Sequence, residues 1–357
     1  MTIVIFILVL FILILVHEWG HFIVAKKSGI RVDEFGIGFP PKAVTLFKKS
    51  GTEYTLNWIP FGGFVKIFGE NYEDVEDGKK ITNDSFSAKS KWTQAAVLIA
   101  GVVMNFLLAW VLITIAFTRG VPASSSSADV ENPVLTVLVV EENSPASLAG
   151  LSVGDSINYV IDGEEKIVID SPEAFQNVVR KNENQDLTLG VERGEESLEI
   201  SVVPEKDPSD TYASVGIAMD MIGIEKIPFG KSIVEGFKTS IMLCKSIITG
   251  FIGIFTGSTD VSSLSGPVGI ASIVGEASKS GFTNLIFLMA VISLNLAVLN
   301  LIPFPALDGG RLLFILIESI TKKPIPPKIF SITNMVGFFL LIGLMILVSI
   351  RDVIHLF

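Results

Sequence analysis

Two of the chain's three histidines stand four residues apart, in His17-Glu18-Trp19-Gly20-His21. On a helix, positions i and i+4 project from nearly the same face, so both imidazoles can reach one metal at the ~2.0–2.1 Å zinc–nitrogen distance. Glu18 follows the first histidine directly, where such a pentad uses a carboxylate as general base rather than as ligand. The chemistry implied is hydrolysis by a metal-activated water. The pentad also sits inside a long apolar run, and ionisable groups at membrane depth are costly and kept for a partner or a task. The alternative is a buried polar cluster that bonds another helix.

A catalytic zinc takes three protein ligands and leaves one position open. The third histidine, His355, lies beyond the last apolar run and on the wrong side. Two acids remain near membrane depth, Asp308 and Glu318. Asp308 ends Asn300-Leu-Ile-Pro-Phe-Pro-Ala-Leu-Asp308 and is followed by Gly309 and Gly310. Two prolines and two glycines break a helix, and broken backbone at membrane depth is tolerated where it lines a cavity. Asp308 is therefore the expected third ligand to one zinc ion per chain. Glu318, close to Thr321 and Lys322, reads as an interfacial residue.

The elements that must carry these groups are membrane helices. The chain has 357 residues, 49% hydrophobic and only 18% charged, because it holds apolar runs long enough to cross a bilayer. Three are Ile3–Ala25, Ala95–Phe117 and Phe330–Ile350; a fourth, Leu285–Leu301, is shorter and continues through Pro303 and Pro305. The first run has no basic leader and no small-residue cleavage site, which argues against a signal peptide. Residues 26–91 hold 11 Lys/Arg against 9 Asp/Glu, and residues 119–283 hold 11 against 24. The positive-inside rule puts the first stretch in the cytoplasm and the second outside. Four crossings follow, with both termini outside. Residues 233–255 also carry apolar groups at helical spacing, but Lys231, Glu235, Lys238 and Lys245 interrupt them, so an amphipathic helix on the outer surface is expected. Were it to span, every later segment would change sides.

The expected layout is a polytopic α-helical membrane protein: a first span with the pentad (1–25), a cytoplasmic region with a β-hairpin (26–91), a second span (92–118) and a linker (119–132). A β-rich domain (133–206) comes next, then an amphipathic helix and loop (207–283). A third span with Asp308 (284–320), a cytoplasmic loop (321–329) and a fourth span (330–350) complete it. Within the hairpin, Tyr54, Leu56 and Trp58 share a face ahead of Gly62 and Gly63. Pattern alone leaves open whether it merely supports the helices. Asn71–Asp84 reads as loop, Ser124–Ser127 as linker, and Ser265–Ala271, with Gly266, Pro267 and Gly269, as a turn-forming loop. In the β-rich domain, strands are expected at 134–140, 156–160, 187–191 and 198–203, with a helix near 172–179. The single cysteine, Cys244, excludes an internal disulfide.

The pentad, Asp308-Gly-Gly, Phe61-Gly-Gly-Phe-Val-Lys66 and Gly266-Pro-Val-Gly-Ile-Ala271 together resemble the site-2 protease family of intramembrane zinc metalloproteases, over nearly the whole chain. The resemblance implies His17, His21 and Asp308 as zinc ligands and Glu18 as base. It also implies that the hairpin dips into the membrane and pairs with substrate through Gly62, Gly63 and Phe64. Asn300 matches a family asparagine that holds extended substrate backbone; its other reading is a helix cap. Asn105 is read as an interhelical hydrogen-bonding residue or part of the site wall. Asn143–Ile157 resembles a PDZ domain, which either takes a peptide ligand by strand addition or acts sterically. Many family members carry two such domains, and this chain has room for one. The partners implied are the lipid bilayer and single-span membrane proteins such as anti-sigma factors or signal-peptide remnants, with no nucleic acid. A start directly before the first span favours the bacterial inner membrane. A silent receptor and a metal transporter are the competing classes. The intact Glu18 argues against the first, and the clustering of ionisable groups near one face argues against the second.

Overall fold

The computed structural model describes residues 1–70, 82–126, 129–194, 196–206, 212–258 and 265–356. Most of the loop expected at Asn71–Asp84, and the end of the serine run, lie outside these residues. The chain forms two compact units, one of residues 1–116 with 229–357 and one of residues 117–228.

The first unit opens with α1 (Thr2–Lys27), β1 (Val32–Lys49), β2 (Thr52–Ile67) and α2 (Lys91–Arg119). The second holds β3 (Val121–Ser124), β4 (Glu131–Val140), α3 (Pro145–Leu148), β5 (Ser156–Asp162), β6 (Glu165–Val168), α4 (Pro172–Lys181), β7 (Leu187–Arg193), β8 (Glu196–Val202) and β9 (Ile217–Glu225). The chain then returns to the first unit with α5 (Phe229–Thr256), α6 (Pro267–Lys279), α7 (Phe282–Leu301), α8 (Asp308–Thr321) and α9 (Pro327–Leu356).

Five helices, α1, α2, α5, α7 and α9, are long and apolar enough to cross a membrane. Such helices keep every backbone hydrogen bond internal, which is what lipid demands. Val9 and Leu13 of α1 are buried against Val274 of α6, with Leu285, Met289, Ile292 and Leu296 of α7 packed alongside. Thr2 at the start of α1 packs on Gly275, just ahead of α7, and His17 near its end meets Asp308, just after α7, so increasing residue number follows the same direction on both helices. α5 is the least apolar of the five. Its first half packs on α2: the Trp110 indole N–H donates to the Ile233 carbonyl at 2.8 Å, and Phe237 meets Phe106 and Trp110 edge-on. Ser232 and Ser240 are fully buried. This is closer helix–helix contact than a helix resting on the surface was expected to make, and Gly236 permits it, since a Cβ there would lie 2.7 Å from Thr114 Oγ1.

The turn-forming loop expected at Ser265–Ala271 is corrected: Pro267 occupies the first turn of α6, and the helix runs through Gly269. Proline lacks an N–H that the first turn does not need. The Asp352 carboxylate of α9 accepts from the Gly269 N–H at 2.8 Å.

Residues 34–37 of β1 have partners on two sides, Glu53–Leu56 and Gly63–Lys66, both within β2. Burial in this element is inverted relative to a water-soluble sheet. Thr52, Thr55 and Asn57 are buried, whereas Val44, Leu46, Phe47, Leu56, Trp58 and Ile59 are exposed.

The second unit is a sheet in the order β3-β9-β4-β5-β7-β8, with β6 paired to β5. All four strands and the helix expected there are present. The unit is wider than 133–206 at both ends, because β3 and β9 complete the sheet by pairing with each other. Leu135, Val137, Ile157, Val160, Phe175, Leu187 and Leu189 form its core. Both helices begin on a serine cap followed by proline: Ser144 Oγ accepts from Ser147 N and Ser171 Oγ from Ala174 N, each at 3.2 Å.

Asp155 is buried among these strands. Arg193 donates to both of its oxygens at 2.8 Å, and Ser152 N donates at 2.8 Å. Burial alone would raise the Asp155 pKa, but the Arg193 and Ser152 hydrogen bonds hold the carboxyl below its ordinary value. A depressed carboxylate stabilises the fold above its unfolded pKa and loses that contribution as pH falls through the folded one. Arg193→Ala should destabilise this unit by about 2 kcal/mol at neutral pH, read as lost hydrogen-exchange protection at Val160 and Leu189 in the full chain. The difference from wild type should shrink below about pH 4; an equal difference at all pH values would contradict the assignment.

Candidate metal centre

His17 and His21 lie one turn apart on the buried side of α1, their rings edge-to-face with centroids 4.7 Å apart. Asp308, the first residue of α8, reaches them from the other end of the chain. His17 Nε2 stands 3.0 Å from Asp308 Oδ2, His21 Nε2 stands 3.3 Å from the same oxygen, and the two Nε2 atoms are 3.1 Å apart. These three residues are the one group of histidine, cysteine and acidic side chains among the described residues able to hold a metal ion.

The donor set fits zinc. A tetrahedral site with ~2.1 Å bonds has edges of ~3.4 Å, close to the three separations found. His21 Nδ1 lies 2.8 Å from the Val97 carbonyl of α2. A carbonyl only accepts, so the ring proton sits on Nδ1 and the Nε2 lone pair is turned inward. Two imidazoles and one carboxylate also leave the fourth position that a catalytic zinc requires.

Close packing of small residues makes the convergence possible. A Cβ on Gly20 would lie 2.4 Å from the Ala100 carbonyl, and one on Gly101 would lie 2.4 Å from His21 Nε2 and 2.7 Å from His17 Cε1. α1 and α2 therefore cross at backbone contact. Asp308 is held by the break that the prolines create. Ala306 takes φ +72°, and its N–H donates to Asn334 Oδ1 of α9 at 3.0 Å. Gly309 and Gly310 sit within 2.2 Å of the Ile302 carbonyl and 2.3 Å of the Phe304 carbonyl, measured to where a Cβ would stand, so no side chain fits at either. Gly337 of α9 seats Pro305 in the same way.

The remaining residues singled out from sequence fall around this centre. Glu18 follows His17 on α1, partly buried, with its Cγ 4.0 Å from the Cβ position of Gly63. Gly62 lies against Ile14 and Phe39 with φ +69°, so the glycine pair runs beside the turn of α1 that carries His17 and Glu18. Phe64 turns its ring across Gly36 of β1 instead. Asn300 is half-buried in the last turn of α7, with no side-chain hydrogen bond among the described residues; the cap itself is Ile302. Glu318 bonds Lys91 at the start of α2 and accepts from Ile325 N at 2.8 Å. Arg311, one turn after Asp308, bonds Glu70 at the end of the hairpin. Asn105 meets His17 directly, Nδ2 to Nδ1 at 3.4 Å. Sequence reading missed Gly101, Asn334 and Gly337. A glycine four residues before Asn105 on an apolar helix is the signal that could have marked the first.

The model of peptidase family M50 matches residues 5–344 of the chain. The chain belongs to peptidase family M50. This is the site-2 protease family that the motifs resemble, and the chain is a multi-pass membrane zinc metalloprotease. An M50 relative from Clostridium perfringens, named as a zinc metalloprotease, is 39% identical over 96% of this chain and 95% of its own length. The zinc metalloprotease RasP of Oceanobacillus iheyensis is 31% identical over 100% of this chain and 99% of its own. The regulator of sigma-W protease RasP of Bacillus subtilis is 30% identical over the same shares. Its alignment runs to 432 positions, so that M50 peptidase holds sequence that this chain lacks.

Gly101→Ala tests the close crossing on which the centre rests. The new methyl must displace the ring of His21 or His17, and a shift of about 1 Å at a catalytic centre costs on the order of 100-fold in rate. Zinc content of the purified variant should fall along with cleavage. A fully loaded, fully active Gly101→Ala enzyme would mean that α1 and α2 can part without cost.

Proposed function

We propose that this M50 peptidase cleaves peptide bonds within the transmembrane segments of single-span membrane proteins. The observation that carries the reading is the convergence of His17, His21 and Asp308 within 3.3 Å among helices long enough to span a bilayer. These three residues hold the zinc. When bound there, zinc supplies a Lewis acid for the scissile carbonyl and lowers the pKa of a water to about 7. Glu18 takes the proton of the attacking water and returns it to the leaving amine.

A helical peptide bond is shielded by its own hydrogen bonds, so a substrate helix must unwind, and in lipid its freed groups need new partners. The segment Gly63–Ile67 supports this role. It pairs with β1 on one side, has no strand partner on the other among the described residues, and begins beside Glu18. The unpaired amide of Asn300 fits the same task. The inverted burial of the hairpin, with threonines inside and Leu56, Trp58 and Ile59 outside, supports its dipping into lipid.

Four crossings are supported by which ends meet. Gly275 of α6 packs on Thr2, and Gly266 and Gly269 pack on Asp352 near the end of α9; α5 begins beside the last third of α2. The chain from α5 to α6 therefore starts and returns on one side, and residues 257–266 are too few to recross lipid with a satisfied backbone. With residues 26–91 cytoplasmic, both termini and the second unit are extracytoplasmic, in a bacterial inner membrane. We read the second unit as a single PDZ domain that takes an extended peptide or limits access sterically. The name of the Bacillus subtilis relative, a regulator of sigma-W protease, favours a regulatory membrane protein such as an anti-sigma factor as substrate over a signal-peptide remnant.

Glu18→Gln should keep zinc while cleavage falls by ~10²–10⁴-fold, whereas His21→Ala and Asp308→Ala should lose the metal itself. Near-wild-type cleavage by Glu18→Gln in detergent-solubilised enzyme would end the proposed mechanism. For topology, cysteines placed at Asn83 and Lys323 should react with an impermeant reagent only from the cytoplasmic side, and one at Glu164 only from outside. Labelling at Lys323 from outside would require α5 to span.

A further inference from the structure

The two histidines are held from behind in different ways. His21 Nδ1 faces a main-chain carbonyl, which can only accept. His17 Nδ1 faces the side-chain amide of Asn105, at 3.4 Å. Asn105 is fully buried, and Ser293 Oγ of α7 donates to its main-chain carbonyl at 2.8 Å, so its backbone is anchored between helices. Its amide is not. Asn105 Oδ1 has no hydrogen-bond partner among the described residues, so the contact with His17 alone sets which way the amide faces.

With the NH2 group toward His17, Nδ1 must be the acceptor and the ring proton must lie on Nε2, where it donates to Asp308 Oδ2 at 3.0 Å. That tautomer cannot hold a metal through Nε2, because a ligand nitrogen needs its lone pair free. Once Nε2 is a ligand, the proton of a neutral ring sits on Nδ1 and requires an acceptor. Half a turn of the Asn105 amide exchanges two atoms of nearly equal size and presents Oδ1 at the same place.

We propose that Asn105 is a positioning residue for the zinc ligand His17, and that its amide turns to accept the Nδ1–H when the metal is held. The inference rests on the reading of His17 as a ligand through Nε2. Asparagine suits the place because it carries donor and acceptor on one rotor and so matches either tautomer without a charge.

The test measures zinc affinity of the purified full chain by competition with a chromophoric chelator, with content checked by elemental analysis. Asn105→Leu keeps the volume and removes the acceptor, and should weaken zinc ~10–100-fold. Asn105→Asp keeps an acceptor and should stay within about threefold of wild type, or bind tighter. An Asn105→Leu enzyme with wild-type affinity, or an Asn105→Asp enzyme as weak as Asn105→Leu, overturns the inference. His17→Ala separates the two levels: if it binds zinc as wild type does, the ligand reading itself has failed. A measurement without substitution stands beside these. In wild-type enzyme loaded with cobalt, the paramagnetically shifted proton spectrum should show one solvent-exchangeable ring N–H from each histidine. Loss of the His17 signal there would mean that its ring N–H exchanges freely and is held by no buried acceptor, which overturns the inference.

Discussion

Three potential ligand atoms held about 3 Å apart repel one another unless a proton or a metal cation is shared among them. His17 Nε2, His21 Nε2 and Asp308 Oδ2 form such a set, and much of the first unit exists to force them together. Gly20 and Gly101 let α1 and α2 touch backbone to backbone. The break between α7 and α8 turns Asp308 inward, and Gly309 and Gly310 fold that break back on its own carbonyls. The packing does not create affinity by itself; it removes the freedom of the ligands to separate. A metal held there would contribute its full attraction without first collecting its ligands.

On the proposed reading that the hairpin dips into lipid, the solvent itself explains the second peculiarity of the unit. In water, a strand buries its apolar face and shows threonine. Here Thr52 and Thr55 are wholly buried while Trp58 is 72% exposed. Thr52 Oγ1 donates to the Val32 carbonyl at 2.8 Å, Thr55 Oγ1 to Glu34 at 2.6 Å and Asn57 Nδ2 to the Gly38 carbonyl at 3.0 Å, while Asn57 Oδ1 has no partner among the described residues. A sheet so built shows an apolar outer face and keeps threonine and asparagine inside, the arrangement that the proposed contact with lipid requires.

The cluster of His17, His21 and Asp308 and the helices that carry it were legible because their signals are local. The i, i+4 histidines, the length of the apolar runs and the Pro-x-Pro break each follow from neighbours in the chain. What escaped depends on distant partners. Gly101 matters for a side chain it lacks, which only the approach of α1 reveals. Asn334 is an ordinary polar residue in an apolar helix until Ala306, with its left-handed backbone, is seen to need it. α6 was read as a loop because glycine and proline break helices, although proline also begins them. β3 and β9 went unread because each completes a sheet begun far away in the chain.

The separation of His17 from Asp308 along the chain, 291 residues, has a consequence for how the protein is made. At roughly 5–20 residues per second, α1 enters the membrane some ~15–60 s before the residue that completes its polar cluster has been synthesised. The groups that cover the histidines in the interval belong to α2. The Val97 carbonyl is 76 residues from His21 and the Asn105 amide 88 from His17. The first pair of helices is thus a shelter as well as half of a site. It keeps two imidazoles partnered through the long stretch of synthesis in which the second unit emerges and folds.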